Sequence, residues 1–464
     1  MTRLLLALVL AGGSRAYAQH AGHQPSPPPP PADTMARHAH AMPAPADSVP
    51  AHAHEMWMRD LGGGWQAMGM AQAIPTMTVG SPWRQQTLLQ GGLYLTQPAV
   101  MLDLASRDAR VVLRTTWNFE GWTQPHGELT FGGWGEGFID SRHPHTLLHE
   151  AMLSANWWDL GGGTLSLSAG KGFAPFGTDD PMARPAVKFP TNHHLSQVLE
   201  RWTANAGYLR GGWSLEAGLF GGQEPDGPYD FSNIRSFGDS WSVRAARRFG
   251  EGFGPAAPWE LSASFARIEE EHHDAVTRTG LWNASARHEA QHAVGKVYAL
   301  LEASRSRPDG DDGYYSVLGE GQLGLGREAR HQPYARVEVA TRPEYTREGA
   351  PGTPGFFRYD HDAHAMGATR WVISTLGYGY DAGRYPASVR PYVELQHHAV
   401  GASRGGIDPR ALFGTRQFWS ASFGARIFLG GGPMRMGSYG ALDPMAAAMR
   451  PDARPMAGME HMRH

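Results

Sequence analysis

Apolar and polar residues alternate one by one along much of this chain, and that alternation constrains its fold more than any other feature. In residues 111–119 one face carries Val111, Leu113, Thr115, Trp117 and Phe119, and the other carries Val112, Arg114, Thr116 and Asn118. Trp213, Leu215, Ala217 and Leu219 oppose Ser214, Glu216 and Gly218 in the same way. Trp419, Ala421, Phe423, Ala425 and Ile427 oppose Ser420, Ser422, Gly424 and Arg426. A period of two is the strand period. Repeated in segments of about ten residues between turn residues, it is the pattern of a transmembrane barrel. A soluble sandwich or propeller buries one face of each strand and alternates equally well. Aromatic residues gathered at strand ends and the spacing of the connections favour the barrel.

From residue 147 onward short connections fall near 159–163, 210–212, 250–257, 289–293, 326–331 and 381–388, and long ones near 172–198, 221–238, 269–279, 306–313, 342–366 and 399–414. Outer-membrane barrels have short periplasmic turns and longer extracellular loops, so the strand ending near Leu429 should run inward. Three further strands fit upstream, at roughly 64–74, 90–105 and 109–121, with Ser106-Arg107-Asp108 as a turn. The expectation is an all-β fold, a transmembrane outer-membrane antiparallel β-barrel of about 16 strands (14–18) over residues 61–430. The strand faces put Arg110, Arg114, Glu216, Arg244, Glu302, Arg336, Glu338 and Arg426 on the lumenal side.

The beginning of the chain suits export. Arg3, the apolar Leu4–Leu10 and the small-x-small Ala16-Tyr17-Ala18 read as a signal peptide over residues 1–18. No segment approaches the length of apolar chain that a membrane-spanning helix needs. The chain contains 41 Lys+Arg against 44 Asp+Glu, a balance that argues against nucleic acid as a partner, and its zero Cys excludes thiolate metal sites and disulfides.

Methionine is distributed unevenly. Of 19 Met, only Met101, Met152, Met182 and Met366 lie between residues 78 and 433. At the ends Met and His occur together in Pro/Ala-rich stretches: Met35, His38, His40 and Met42; His52, His54, Met56 and Met58; and Met459, His461, Met462 and His464. Residues 19–60 and 431–464 therefore read as disordered tails, with Pro25 to Pro31 a semi-rigid spacer. Thioether sulfur suits Cu(I), and imidazole suits Cu(II), Ni(II) or Zn(II). Met and His one to three residues apart let a flexible segment wrap an ion, so Cu(I) or Cu(II) is the expected ligand of the tails. Low-complexity drift is the plain alternative.

Two histidine groups fall on long connections at one rim: His143 and His145, beside Asp140, His149 and Glu150, and His193 with His194. Four imidazoles and two acids would suit a borderline metal ion; the competing reading is a hydrogen-bonded latch holding the loops to the wall. His272-His273, His361 with His364, and Asp309 to Gly313 read as solvated loop residues, and His397-His398 as a strand end.

These motifs carry a resemblance. The Arg-His-Pro-His block at 142–145, Lys171 to Gly177, Asn192-His193-His194, and Ala206 to Leu219 followed by Phe220 to Asp226 resemble a family of bacterial outer-membrane β-barrels of unassigned function. Its members have a Met/His-rich exported N-terminus, a Gly-Gly-Gly-Trp first strand (here Gly62 to Trp65), an Asp-x-x-His-Pro-His block and a His-His block. The local motifs span roughly residues 52–230. Copper resistance protein B is more loosely similar. The chain departs from the pattern at Arg142, at Thr146 where an acid is common, and in the 35 residues after Leu429, which leave Phe428 as an internal version of the aromatic end read by the barrel-assembly machinery. The resemblance implies a metal-related role in the outer membrane, with the lipid bilayer, that machinery and metal ions as partners and both termini periplasmic.

Three function classes follow: a barrel binding or transporting soft, copper-like ions in metal tolerance; a general or substrate-selective porin; and an outer-membrane enzyme with a rim His/acid site. The last needs Ser141, Ser154 or Ser196 as nucleophile. No catalytic motif accompanies these serines, and the expectation is that the chain is not an enzyme.

Overall fold

The computed structural model describes residues 57–81, 93–123, 145–178, 183–187, 193–250, 258–272, 275–346, 365–383, 387–430 and 435–443. All of them lie in the second of two units, residues 49–464. The sheet is built from β1 (Trp57–Gly62), β2 (Trp65–Ser81), β3 (Leu93–Ser106), β4 (Val111–Asn118), β5 (Leu148–Leu160), β6 (Gly163–Gly172), β7 (Arg201–Arg210), β8 (Trp213–Gly221) and β9 (Phe237–Phe249). It continues with β10 (Trp259–His272), β11 (Ala275–His292), β12 (Gly295–Pro308), β13 (Tyr314–Gly324), β14 (His331–Tyr345), β15 (Ala365–Tyr380), β16 (Ala387–Arg404) and β17 (Gln417–Leu429).

Each strand from β2 onward pairs antiparallel with the next, and β17 returns to β2, from Leu429 opposite Ala71 to Trp419 opposite Ser81. The result is a closed barrel of 16 strands. Closure removes both sheet edges, so every strand has two partners. β1 stands outside this count. It pairs with the start of β2 below the point where β17 ends, and the Trp57 amide donates to the Gly430 carbonyl at 3.0 Å.

The alternation assigns the two faces as expected. In β4 Val111, Leu113 and Trp117 are exposed, whereas Val112, Arg114, Thr116 and Asn118 are buried. The exterior carries an apolar belt that includes Leu102, Leu153, Leu167, Leu301, Val337, Val372, Leu395 and Phe423. Exposed Trp65, Trp213, Phe249 and Trp259 flank it toward one rim, and Trp117, Trp241, Trp282 and Trp419 toward the other. A contiguous apolar surface of this extent is untenable in water. An apolar band between aromatic girdles is what a barrel presents to lipid.

Three expectations need correction. The lengths of the connections do not alternate throughout. β10 and β11 pair to their tips, His272 opposite Ala275, and β12 and β13 are joined by residues 309–313, fewer than the 250–258 that join β9 to β10 on the opposite rim. Long runs of paired backbone, Glu269–Glu271 among them, extend the wall where loops were expected. β1 begins at Trp57, inside the stretch expected as tail, and residues 435–443, also expected as tail, pack against the wall. Finally, Arg110 is a turn residue, mostly exposed and paired with Asp108 at 2.9 Å, because the chain reverses there before β4 begins.

Candidate functional site

The inner face of the barrel is polar, and several of its charges are paired within the wall. Arg244 makes a two-pronged contact with Glu216 at 2.8 and 2.7 Å, and Arg336 lies between Glu320 and Glu338 at 3.7 and 3.8 Å. Arg342 meets Glu344 at 3.0 Å and lies over the Trp371 ring. Buried charges need such partners. His398, buried on this face, stacks on Phe418 with ring centroids 4.7 Å apart, whereas His397 points outward onto Trp419.

Two chain segments occupy the lumen. The first is the connection between β6 and β7. The Gly177 amide donates to Ser264 Oγ on β10 at 2.9 Å, and Asn205 on β7 donates to the Phe173 carbonyl at 3.0 Å. Arg184 pairs with Glu302 on β12 at 2.9 Å, the Val187 amide donates to Glu394 on β16, and Arg426 on β17 donates to the carbonyls of Arg184 and Pro185. These partners lie on widely separated strands, so the segment crosses the bore.

The second is residues 435–443, which follow the end of β17. Arg435 meets Glu260, the second residue of β10, at 2.7 Å, and Arg244 donates to the Gly437 carbonyl at 2.9 Å. The Ala441 amide donates to Asn156 Oδ1 at 2.9 Å, and Asp443 pairs with Arg114 at 2.5 Å. Tyr439 OH donates to Glu150 at 2.6 Å and accepts from the Phe173 amide at 2.9 Å, joining the two segments. The wall is shaped for them: a Cβ on Gly207 would collide with Leu442, and one on Gly172 with Tyr439.

Where they meet, the lumen turns apolar. Met70, Met101, Met152, Phe173, Leu199, Phe428, Met436 and Tyr439 form one buried cluster. Met70 on β2 stands directly opposite Met101 on β3, Met101 opposite Thr116 on β4, and Thr116 opposite Glu150 on β5. The neighbouring row runs Met68, Asp103, Arg114, Met152. Met68 and Met70 fall on the strand expected at 64–74, whereas Met436 falls in the stretch expected as C-terminal tail. The available signal was the parity of Met68 and Met70, two residues apart on a strand.

The histidine-bearing loops give a second constellation. His145 donates its backbone amide to Glu120 Oε2 at 3.0 Å, with ring Nδ1 3.6 Å from the same oxygen. Glu200 Oε1 receives the Thr146 amide at 2.7 Å and the Thr146 hydroxyl at 2.5 Å, and lies 3.0 Å from His149 Nδ1. Lys171 donates to Thr146 Oγ1 and to the Leu148 carbonyl, its Nζ 3.9 Å from Glu200. Burial alone would raise the Glu200 pKa, but the His145 and His149 rings and Lys171 outweigh it and hold the carboxyl well below the usual carboxylate range. This arrangement ties the connection before β5 to the one before β7. That is what a latch does.

Of the expected rim residues, His145 is therefore placed with Glu120, His149 and Glu200. His193 and His194 begin a single 3-10 turn, His193–Ser196, and His143 lies outside the described residues. Glu150 bonds Thr116 and Tyr439 instead of the imidazoles. Among the described residues no group of three or more His, Asp or Glu is placed to hold a metal ion. Met58 lies exposed on β1; Met35, His38, His40, Met42, His52, His54, Met56, Met459, His461, Met462 and His464 lie outside the described residues. Ser154 shares a hydrogen bond with Ser168 at 2.8 Å, and Ser196 is buried. Two acidic residues of 309–313 are ion-paired, Asp309 with Arg267 and Asp311 with Arg404.

No protein-family model and no curated protein matches the chain. Among solved structures it is similar to in-vitro folded OmpT, an outer membrane protein of Vibrio cholerae, at 8% identity over 81% of this chain and 99% of that one, with a TM-score of 0.45. It is similar to an anion-selective porin from Comamonas acidovorans at 11% identity, over 79% and 100% of the chains, with a TM-score of 0.46. For Pseudomonas putida OprB the identity is 12%, over 79% and 94%, with a TM-score of 0.43.

Proposed function

We propose that the chain is an outer-membrane barrel that binds or moves soft, copper-like metal ions in metal tolerance, with its short-turn rim and both termini periplasmic. The observation that carries this reading is the seating of residues 435–443 in the lumen by buried ion pairs and hydrogen bonds. The Met/His-rich sequence from 444 onward thus continues from Asp443, a residue held inside the bore. The apolar belt and the even strand number support the membrane assignment. Both lumenal segments weigh against an open general porin, whose bore is a water-filled channel.

The test is Cu(I) and Cu(II) binding to the refolded protein, comparing the full chain with a version lacking residues 19–56 and 444–464. Several Cu(I) ions bound by the full chain and lost with the tails is the expected result. Because thioethers do not protonate and imidazoles do, the Cu(I) bound by Met should persist at pH 5 while His-dependent Cu(II) binding falls below about pH 6. No binding to either version, with solute permeation unchanged by the deletion, would overturn the metal reading in favour of a porin.

A further inference from the structure

Methionine fills irregular gaps in many cores, and a lumen closed by a re-entrant segment offers such gaps. The cluster around Met436 has two properties that gap-filling does not require. Its thioethers come from separate elements, Met70 from β2, Met101 from β3, Met152 from β5 and Met436 from the C-terminal segment, and all are almost wholly buried. It also lies against an excess of negative charge. Arg114 is shared between Asp103 at 2.7 Å and Asp443 at 2.5 Å. Glu150, only 1% exposed, takes its hydrogen bonds from the Thr116 and Tyr439 hydroxyls instead of a guanidinium or ammonium group. Asp103 and Glu150 on the two wall rows that carry Met70, Met101 and Met152, with Asp443 on the segment, thus set three carboxylates around Arg114, and Lys171, the next buried cation, is shared with Glu200. Buried carboxylates in such excess favour a cation nearby.

A soft monovalent cation satisfies both properties. Neutral thioether sulfur is the preferred donor for Cu(I) and leaves the ion its single positive charge to offset the carboxylate excess. Divalent hard ions would take carboxylate or carbonyl oxygen and have no use for sulfur. We infer that Met70, Met101, Met152 and Met436 form an internal thioether site for one Cu(I) ion, closed by the C-terminal segment. This rests on the soft-metal reading above and gives it a place inside the barrel, distinct from the tails. The ion enters when residues 435–443 part from the wall, so occupancy and seating of the segment are coupled.

The experiment uses the full-length refolded protein and competition of Cu(I) against a colorimetric Cu(I) chelator. The variants are M70L/M101L/M152L, which keeps core volume and all tail residues, M436L, and M456L/M459L/M462L as the tail control. Folding is checked by heat-modifiable gel migration. The wild type and the tail control should bind a tight first equivalent whose X-ray absorption shows sulfur neighbours only. The wall triple variant should lose that equivalent, and M436L should weaken it at least tenfold. If the triple variant does not fold, M436L with the sulfur signature of the wild type decides. A first equivalent unchanged by wall substitutions, or held by nitrogen, refutes the lumenal site while leaving the tail reading standing. No Cu(I) bound by any version refutes both.

Discussion

Individual side chains carry unusual weight in this bore because so many are charged and shielded from water. Arg114 is the clearest case. Removing its guanidinium in Arg114→Met leaves Asp103 and Asp443 buried without their shared partner, a loss of about 3–5 kcal/mol for a broken buried pair. The temperature at which the barrel loses its compact gel migration should fall accordingly, and Asp443→Asn, which removes one of the two acids, should cost less. Glu200 sets a pH dependence. Its folded pKa is depressed, so its contribution is present above the ordinary carboxylate value of about 4.3 and is lost as pH falls further through the folded value. Thermal midpoints measured from pH 7 to 3 should drop more steeply for the wild type than for Glu200→Gln; parallel curves would show that the latch contributes nothing. Glu200 also sits at φ 58°, a conformation a non-glycine residue rarely adopts. Three hydrogen bonds to one of its carboxylate oxygens hold it there.

Strands and connections show where the sequence was readable. Every strand with clean alternation was found, since one face meets lipid and the other a polar lumen, and that contrast is written residue by residue. Connection lengths were a poorer guide. Nothing local tells a chain to stop pairing at Glu269 when Val276 and Ala275 stand ready opposite Glu271 and His272. The lumenal segments were illegible for a different reason. Residues 435–443 read as tail because their partners, Glu260, Glu150, Asn156 and Arg114, are hundreds of positions away and announce themselves only as ordinary lumenal polar residues. The histidine rim was half legible. A latch was one of the readings its residues allowed, but the carboxylate partners Glu120 and Glu200 were not identified from the sequence. One glycine tests the segment as an element. Gly440 has φ 57°, and a Cβ there would collide with Ser166 and Asn156. Gly440→Val should unseat the segment. In planar bilayers the variant should conduct more than the wild type, and a protease added from the short-turn side should cut within 435–443. An unchanged conductance and cleavage pattern would contradict the seating.

On the scale of the whole molecule the barrel separates two solvents, lipid outside and a packed polar interior within. A charge placed on the outside near the middle of a strand should be costly, as in Leu301→Arg on β12, by about 2–4 kcal/mol at the bilayer midplane, read from urea unfolding in lipid vesicles. Closure of β17 onto β2 has a further consequence for biogenesis. The seam joins the last strand made to the first strand of the ring, yet two pieces of the same polypeptide lie inside it. The connection before β7 is tethered at both ends within the wall, so it must be inside, or fold inward past the rim, by the time the seam forms. The C-terminal piece is synthesised after β17 and can enter only past the rim where β17 ends or by waiting in an unsealed cylinder. Assembly is therefore an ordering problem, in which the protein shuts the door with its own tail already indoors or slips it through the keyhole afterward.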